Sequence, residues 1–130
     1  MQRTISQIHQ WLARTFLAGL LLQFYLASVP LFGAASFQPH RMLGGMLTML
    51  VFLFPLLALA GRLGRQRIGL SILLVVLTIV QMLLPSLRGS IPWIAALHPI
   101  NALVLMGLSA RISRIGQIDR IDSAAAQQAN

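Results

Sequence analysis

The chain contains no cysteine, no lysine and no glutamate. Without cysteine there is no disulfide framework and no thiolate metal site. The only carboxylates are Asp119 and Asp122, both in the polar C-terminal stretch. Acid–base chemistry by paired carboxylates within the hydrophobic body of the chain is therefore excluded. Charged residues make up only 9% of the 130 positions, against 57% hydrophobic. A water-soluble domain of this size has no use for that much apolar surface. No phosphate-cradling glycine loop, nucleophile–base pair or zinc-type spacing occurs.

What the chain does have is arginine and long apolar runs. The net charge is +8, and every basic residue is arginine. Nucleic-acid binders show such a balance, but here the arginines sit at the ends of apolar runs and form no stripe on a soluble face, so nucleic acid is not an expected partner. Apolar runs of roughly 20 residues match a bilayer core of about 30 Å. The reading is an all-α polytopic membrane four-helix bundle. An amphipathic inner-interface segment, 1–14, precedes a transmembrane domain, 15–118, with spans near 15–33, 39–60, 68–87 and 91–113. A polar flexible tail, 119–130, follows. The small residues Ala34, Ala35 and Ser36 after the first run have some signal-peptide character, but the length of the run favours a retained span.

The spans must be helical, because an open strand cannot satisfy its backbone in lipid, and short connections make successive helices antiparallel neighbours. Ser90 is a candidate N-cap for the fourth span, with Pro92 in its first turn. Pro55 predicts a bend in the second. Arg3, Arg14, Arg62, Arg65, Arg67, Arg111, Arg114 and Arg120 fall on one side of the bundle, and only Arg41 and Arg88 on the other. The arginine rule then places both termini in the cytoplasm of a bacterial inner membrane, with His40 and His98 toward the outer side.

Polar residues within membrane spans are costly and call for a reason. Gln23 and His40 are separated by 17 positions, and so are Gln81 and His98. The pattern recurs at an offset of 98 − 40 = 58, and at that offset Gly44 matches Ala102. Two repeated helical hairpins follow, related by an axis along the membrane normal, with the histidines facing each other across it. Two imidazoles, apolar walls and small residues one turn on describe a six-coordinate haem site. In it His40 and His98 are the axial ligands of a haem b. Gly44 and Ala102 let the ring approach the backbone. Arg41 pairs with a propionate, and Gln23 and Gln81 bond a ligand nitrogen or bridge helices.

Each of these residues also has a plainer reading. His40, next to Pro39, suits an interfacial histidine in water. His98 suits a side chain that satisfies a carbonyl freed by a Pro99 kink. The glutamines suit interhelical glue, and Gly44-Gly45 suits close packing. The matched spacing of two rare residues is what raises the haem reading. Against it, His98 lies a turn deeper than His40 when each is counted from Ser90 and Ser36, a mismatch of about 6 Å. His9 is expected to be solvated, with no partner, and the inner halves of the spans to be nearly free of polar groups.

His40, Arg41 and Gly44 at the start of span two, Gln81 in span three and Leu97-His98 at the start of span four resemble one half of the haem A synthase family. The chain also resembles small four-span bacterial membrane proteins of unassigned function. The first resemblance implies a four-helix half with paired histidines at the outer ends of its second and fourth helices. The family's glutamate, three residues before the motif histidine, is here Phe37, and its outer cysteine pair and second half have no counterpart. The resemblance therefore carries over the ligands His40 and His98 and not the oxidative chemistry.

The function expected is a small haem-binding protein that transfers single electrons near the outer face, an electron carrier more than a catalyst. Expected partners are the lipid bilayer, a quinol or redox protein, and a second copy in a homo-oligomer. The alternative is a cofactor-free helical scaffold or subunit of a larger complex. A carrier or channel protomer is disfavoured by the lack of a continuous polar path.

Overall fold

The computed structural model describes residues 1–128, except for the side chains of residue 116 and residues 119–128. The flexible tail expected over 119–130 lies outside the side chains described, although the last helix is assigned as far as Gln128. All regular secondary structure of the described residues is helical, with no strand among them. Helix α1 (Gln2–Ser28) ends in a single 3-10 turn, Val29–Phe32. Helices α2 (Gln38–Val51) and α3 (Leu53–Ala60) form one span with a break between them. Helix α4 (Arg65–Leu83) runs into a 3-10 segment, Leu84–Gly89. A single-turn helix, α5 (Pro92–Ala95), precedes α6 (His98–Gln128). Four stretches are long and apolar enough to cross a membrane: Gln2–Phe32, Gln38–Ala60, Arg65–Gly89 and Pro92–Ile115.

The spans pack in sequence around a square. The first contacts the second and fourth, and the third contacts the second and fourth. The surface is apolar: Leu21, Met46, Met49, Leu56, Ile72, Val76 and Leu103 are all exposed. That is the pattern of a bundle solvated by lipid, with a packed interior of its own. The interior cluster is Ala13, Phe16, Leu20, Leu47, Val51, Phe54, Leu74, Leu105 and Ile112. Phe16 meets Phe54 edge-to-face at 5.6 Å, the offset geometry that ring quadrupoles favour. Gly19 permits the close approach of α1 and α2, since a Cβ there would lie 2.7 Å from Leu47 Cδ2.

The break at Phe52 has a local cause. The Pro55 ring removes a backbone donor and crowds the carbonyl four residues earlier, at Val51, where α2 stops. The helix is interrupted one turn before Pro55, where a disturbance was expected. The turn between the second and third spans uses Arg62 at φ 48° and Gly64 at φ 85°, and the latter is a conformation that glycine adopts without strain.

The fourth span departs from expectation. Ser90 is not an N-cap. Its hydroxyl lies 3.4 Å from the Leu87 carbonyl, and the N-cap of α5 is Ile91. The chain turns again after Ala95, and α6 begins afresh at His98. Pro99 therefore occupies the first turn, where its missing N–H is no loss, and does not kink a helix. Helix α1 is unbroken from Gln2, so the stretch 1–14 continues directly into the first span.

Candidate functional site

Two polar clusters interrupt the apolar interior, one toward each end of the bundle. Along α1, Gln10 and Gln23 are separated by about 20 Å of helix at 1.5 Å per residue. That is shorter than a hydrocarbon core of about 30 Å, so at least one cluster lies within the apolar slab, where unsatisfied polar groups are costly.

At one end, His40 and His98 each stand in the first turn of a helix, α2 and α6. The restart of α6 at His98 removes the expected depth mismatch. The two ring centroids are 6.3 Å apart, with planes at 67°. Each ring is held in the same way. His40 Nδ1 lies 3.1 Å from the Gln23 carbonyl oxygen, and His98 Nδ1 lies 3.0 Å from that of Gln81. A carbonyl can only accept, so Nδ1 carries the proton in both rings. In the neutral imidazole the Nε2 lone pair is then the free electron donor. An Nδ1–H donated to a backbone carbonyl is also the usual way a metal-ligating histidine is oriented.

The surroundings of the two rings differ. Gln81 Nε2 lies 3.3 Å from His98 Nε2, donating to its lone pair. Gln81 Oε1 accepts from Asn101 Nδ2 at 2.8 Å, and the same Asn101 nitrogen reaches the Leu77 carbonyl at 2.9 Å. On the other side Gln23 Oε1 is buried with no hydrogen-bond partner. The position matching Asn101 there is Leu43. Ala102 is buried, whereas a Cβ on Gly45 would meet nothing within 4 Å, and one on Gly44 would lie 2.8 Å from Gln23 Nε2. Arg41 is exposed beside His40. All seven residues singled out in the sequence thus occur at this end. His40, His98, Gln23 and Gln81 are joined by direct contacts, Gly44 and Ala102 lie one turn beyond the two rings, and Arg41 is at the rim.

The cluster toward the other end was not anticipated. His9 is fully buried, with Nε2 3.1 Å from Ser71 Oγ and its ring edge-on to Phe54 at 5.5 Å. The expectation that it is solvated is corrected: α1 turns this face inward, toward α3 and α4. Arg67, 2% exposed, donates to Ser6 Oγ at 2.7 Å. Gln10 Nε2 reaches the Ser113 carbonyl at 3.0 Å, and Arg14 reaches Ser113 Oγ at 3.3 Å. Ser71, Thr78 and Ser109 return their hydroxyls to carbonyls four residues earlier. The inner halves of the spans are thus not free of polar groups. The missed signal was helical phase, since Arg67, Ser71, Leu74, Thr78 and Gln81 recur on one face of α4 at three- and four-residue intervals.

The fit of a haem can be tested on these distances. Imidazole nitrogens bind metals at about 2 Å, so two rings sharing one ion have centroids on the order of 6 Å apart, against the 6.3 Å found. Among the described residues no three His, Cys, Asp or Glu side chains converge, so an all-protein metal cage is not formed. Two imidazoles are the number needed by an iron whose other ligands come from a porphyrin. The small residues flanking the rings and the unsatisfied Gln23 Oε1 are compatible with a further group. The present Gln81 contact to His98 Nε2 has to open to admit it. The number and spacing of the rings suit such an ion, while both His98 ring nitrogens are bonded to Gln81 as the site stands.

These features define a multi-pass helical membrane protein with a two-imidazole polar layer near one end. The chain belongs to a family of unknown function, DUF6220, whose model matches residues 23–88. The matched stretch begins at Gln23 and includes His40 and Gln81. No curated protein sequence and no solved structure matches the chain.

Proposed function

We propose that this protein is a small haem b-binding membrane protein that transfers single electrons near the outer face of a bacterial inner membrane, and that His40 and His98 are the residues that would hold the haem iron. The observation that carries the reading is the pair of rings 6.3 Å apart, each with Nδ1 tethered to a glutamine carbonyl. Bound haem would supply a one-electron couple buffered by two strong-field ligands. The chain's own residues do the rest. The Gln23 and Gln81 carbonyls hold the Nδ1 protons and aim the Nε2 lone pairs. Apolar side chains limit water, and Arg41 at the rim offers a guanidinium to a carboxylate. A quinol or redox protein is the partner such a site suits, with a second copy in a homo-oligomer as a further partner.

The repeat of two hairpins is part of this reading. Shifting His9, Ala13, Phe16, Leu20, Leu47, Val51 and Phe54 by the offset of 58 gives Arg67, Ser71, Leu74, Thr78, Leu105, Ser109 and Ile112, and every member of both sets is buried. The resemblance to half of a haem A synthase points the same way. The arginine distribution supports cytoplasmic termini.

A second reading, a cofactor-free scaffold or subunit, is favoured by the closed network Leu77–Asn101–Gln81–His98, which cross-links α4 and α6 without any ligand. Absorption spectra of the protein purified in mild detergent from a haem-replete host separate the two. A sharp Soret band with resolved α and β bands on reduction, replaced by a non-bis-histidine spectrum in His40→Ala and in His98→Ala, is expected. A folded, colourless wild type would establish the scaffold reading.

A further inference from the structure

The arginines at the Arg67 end of the bundle are not all used in the same way. Arg67 is buried and donates to Ser6, and Arg14 reaches Ser113 and lies over the Trp11 ring at 4.9 Å. Arg62, Arg65, Arg111 and Arg114 are exposed, and none of their guanidiniums is bonded to another described residue. Residues 1–118 contain no carboxylate that could pair with them. We propose that Arg111 and Arg114, supported by Arg62 and Arg65, bind the phosphodiester group of an anionic phospholipid.

Position on α6 separates this pair from an ordinary solvated charge run. Arg111 and Arg114 are three residues apart, so their side chains leave the same side of the helix. That side is otherwise apolar and exposed, with Leu103, Val104 and Gly107 before the pair and Ile118 after it. Arg111 also lies inside the span Pro92–Ile115. A guanidinium on a lipid-facing stripe needs an anion or water within reach of its stem. The depth is right for a phosphate. Gln10 and Arg14 both bond Ser113, which stands between the two arginines, so the pair is level with that stretch of α1. The same stretch carries Trp11, 59% exposed, and tryptophans at a membrane surface settle at the headgroup level. Ser6, which Arg67 bonds, is about one helical turn further along α1 than Gln10. The turn that carries Arg62 and Arg65 therefore stands over the headgroup layer, where basic residues draw anionic lipid toward the surface.

The residue types choose the headgroup. Every basic residue is arginine, and its planar fork matches two phosphate oxygens. The ammonium of a zwitterionic headgroup would find no carboxylate in residues 1–118. A phosphatidylglycerol-type lipid carries the phosphate without the ammonium. The inference stands apart from the haem reading, and neither needs the other.

The full-length protein in mild detergent is given equimolar phosphatidylglycerol and phosphatidylcholine with the same acyl chains, and the lipid retained is counted by native mass spectrometry. Wild type should retain phosphatidylglycerol in preference. Arg111→Gln and Arg114→Gln should each lower that retention about fivefold, the effect of one basic residue at an anionic surface. Arg62→Gln/Arg65→Gln should lower it less, and Arg88→Gln, at the other end, should leave it unchanged. Inorganic phosphate should not replace the lipid. Equal retention of the two lipids, full replacement by inorganic phosphate, or unchanged retention in the α6 variants overturns the inference. A larger loss in Arg62→Gln/Arg65→Gln, or an equal loss in Arg88→Gln, overturns the placement on α6. If one α6 variant fails to fold, the other decides. If both fail, Arg111→Lys/Arg114→Lys does: keeping the charge without the fork, it should prefer phosphatidylglycerol still but retain less, and retention equal to wild type overturns the inference.

Discussion

Toward the Arg67 end of the bundle, one histidine is completely buried. At the other end, two are half-buried and face each other. The bonds around the rings explain why the same residue type serves different ends. The Ser71 hydroxyl donates to the Arg67 carbonyl, so it accepts from His9, and His9 Nε2 carries the proton. In His40 and His98 the proton is on Nδ1 and Nε2 keeps its lone pair. His9 donates from Nε2 to Ser71 and keeps its lone pair on a buried Nδ1 that has no hydrogen-bond partner, with Phe54 edge-on to its ring. Each of the three rings thus has one tethered nitrogen and one lone pair, but only His40 and His98 face each other, 6.3 Å apart. A histidine is a candidate ligand here because a second imidazole shares its site; a tethered nitrogen inside a membrane span does not suffice.

The comparison is tested most strongly by removing each kind of histidine. His98→Ala should abolish the bis-histidine spectrum, while His9→Ala should leave the haem content and the spectrum unchanged and lower the melting temperature. Haem per chain and thermal unfolding in detergent check both. Loss of colour in His9→Ala would mean that the two polar clusters do not act independently.

Next in size is Phe54→Ala. It removes the ring that meets both Phe16 and His9 and should cost about 3 kcal/mol. The destabilisation should be seen with and without haem. A loss confined to the haem-loaded form would contradict a purely structural role for that end.

Gly19→Ala should cost about 1 kcal/mol by overpacking against Leu47, whose side-chain end borders the open groove between α1 and α2 and can shift in part. The smallest effect is expected from Ser113→Ala. It deletes only the hydroxyl that Arg14 reaches at 3.3 Å, leaving the carbonyl that Gln10 uses, and stability should change by less than about 0.5 kcal/mol.

Much of this was legible in the sequence, and the reasons are specific. Four apolar runs gave four spans, because helix length and bilayer thickness leave few alternatives. The 17-residue spacing of Gln23–His40 and Gln81–His98 pointed to contacts that form in both hairpins. The start of α6 was not legible. Pro92 and Pro99 are both good first-turn prolines, and the chain uses both, with a turn between them. Reading only the first produced a false mismatch in depth. Charge alone places Arg67 and His9 at span ends facing water, whereas helical phase turns both inward. Once Ser71 and Thr78 are placed on the same face as Arg67, its burial follows from the periodicity alone. The absence of an anchor at Gln23 was not legible at all, since it depends on Asn101 reaching two acceptors on α4.

The most direct test of the central claim is the haem stoichiometry and spin state of the full-length protein purified from haem-replete cells. One low-spin, six-coordinate haem per chain, converted to a form with a single protein ligand by His40→Ala, is the result predicted. A monodisperse, thermally cooperative protein that carries no haem and takes none up when haem is added would contradict it, and would leave His40 and His98 as cross-links between helices.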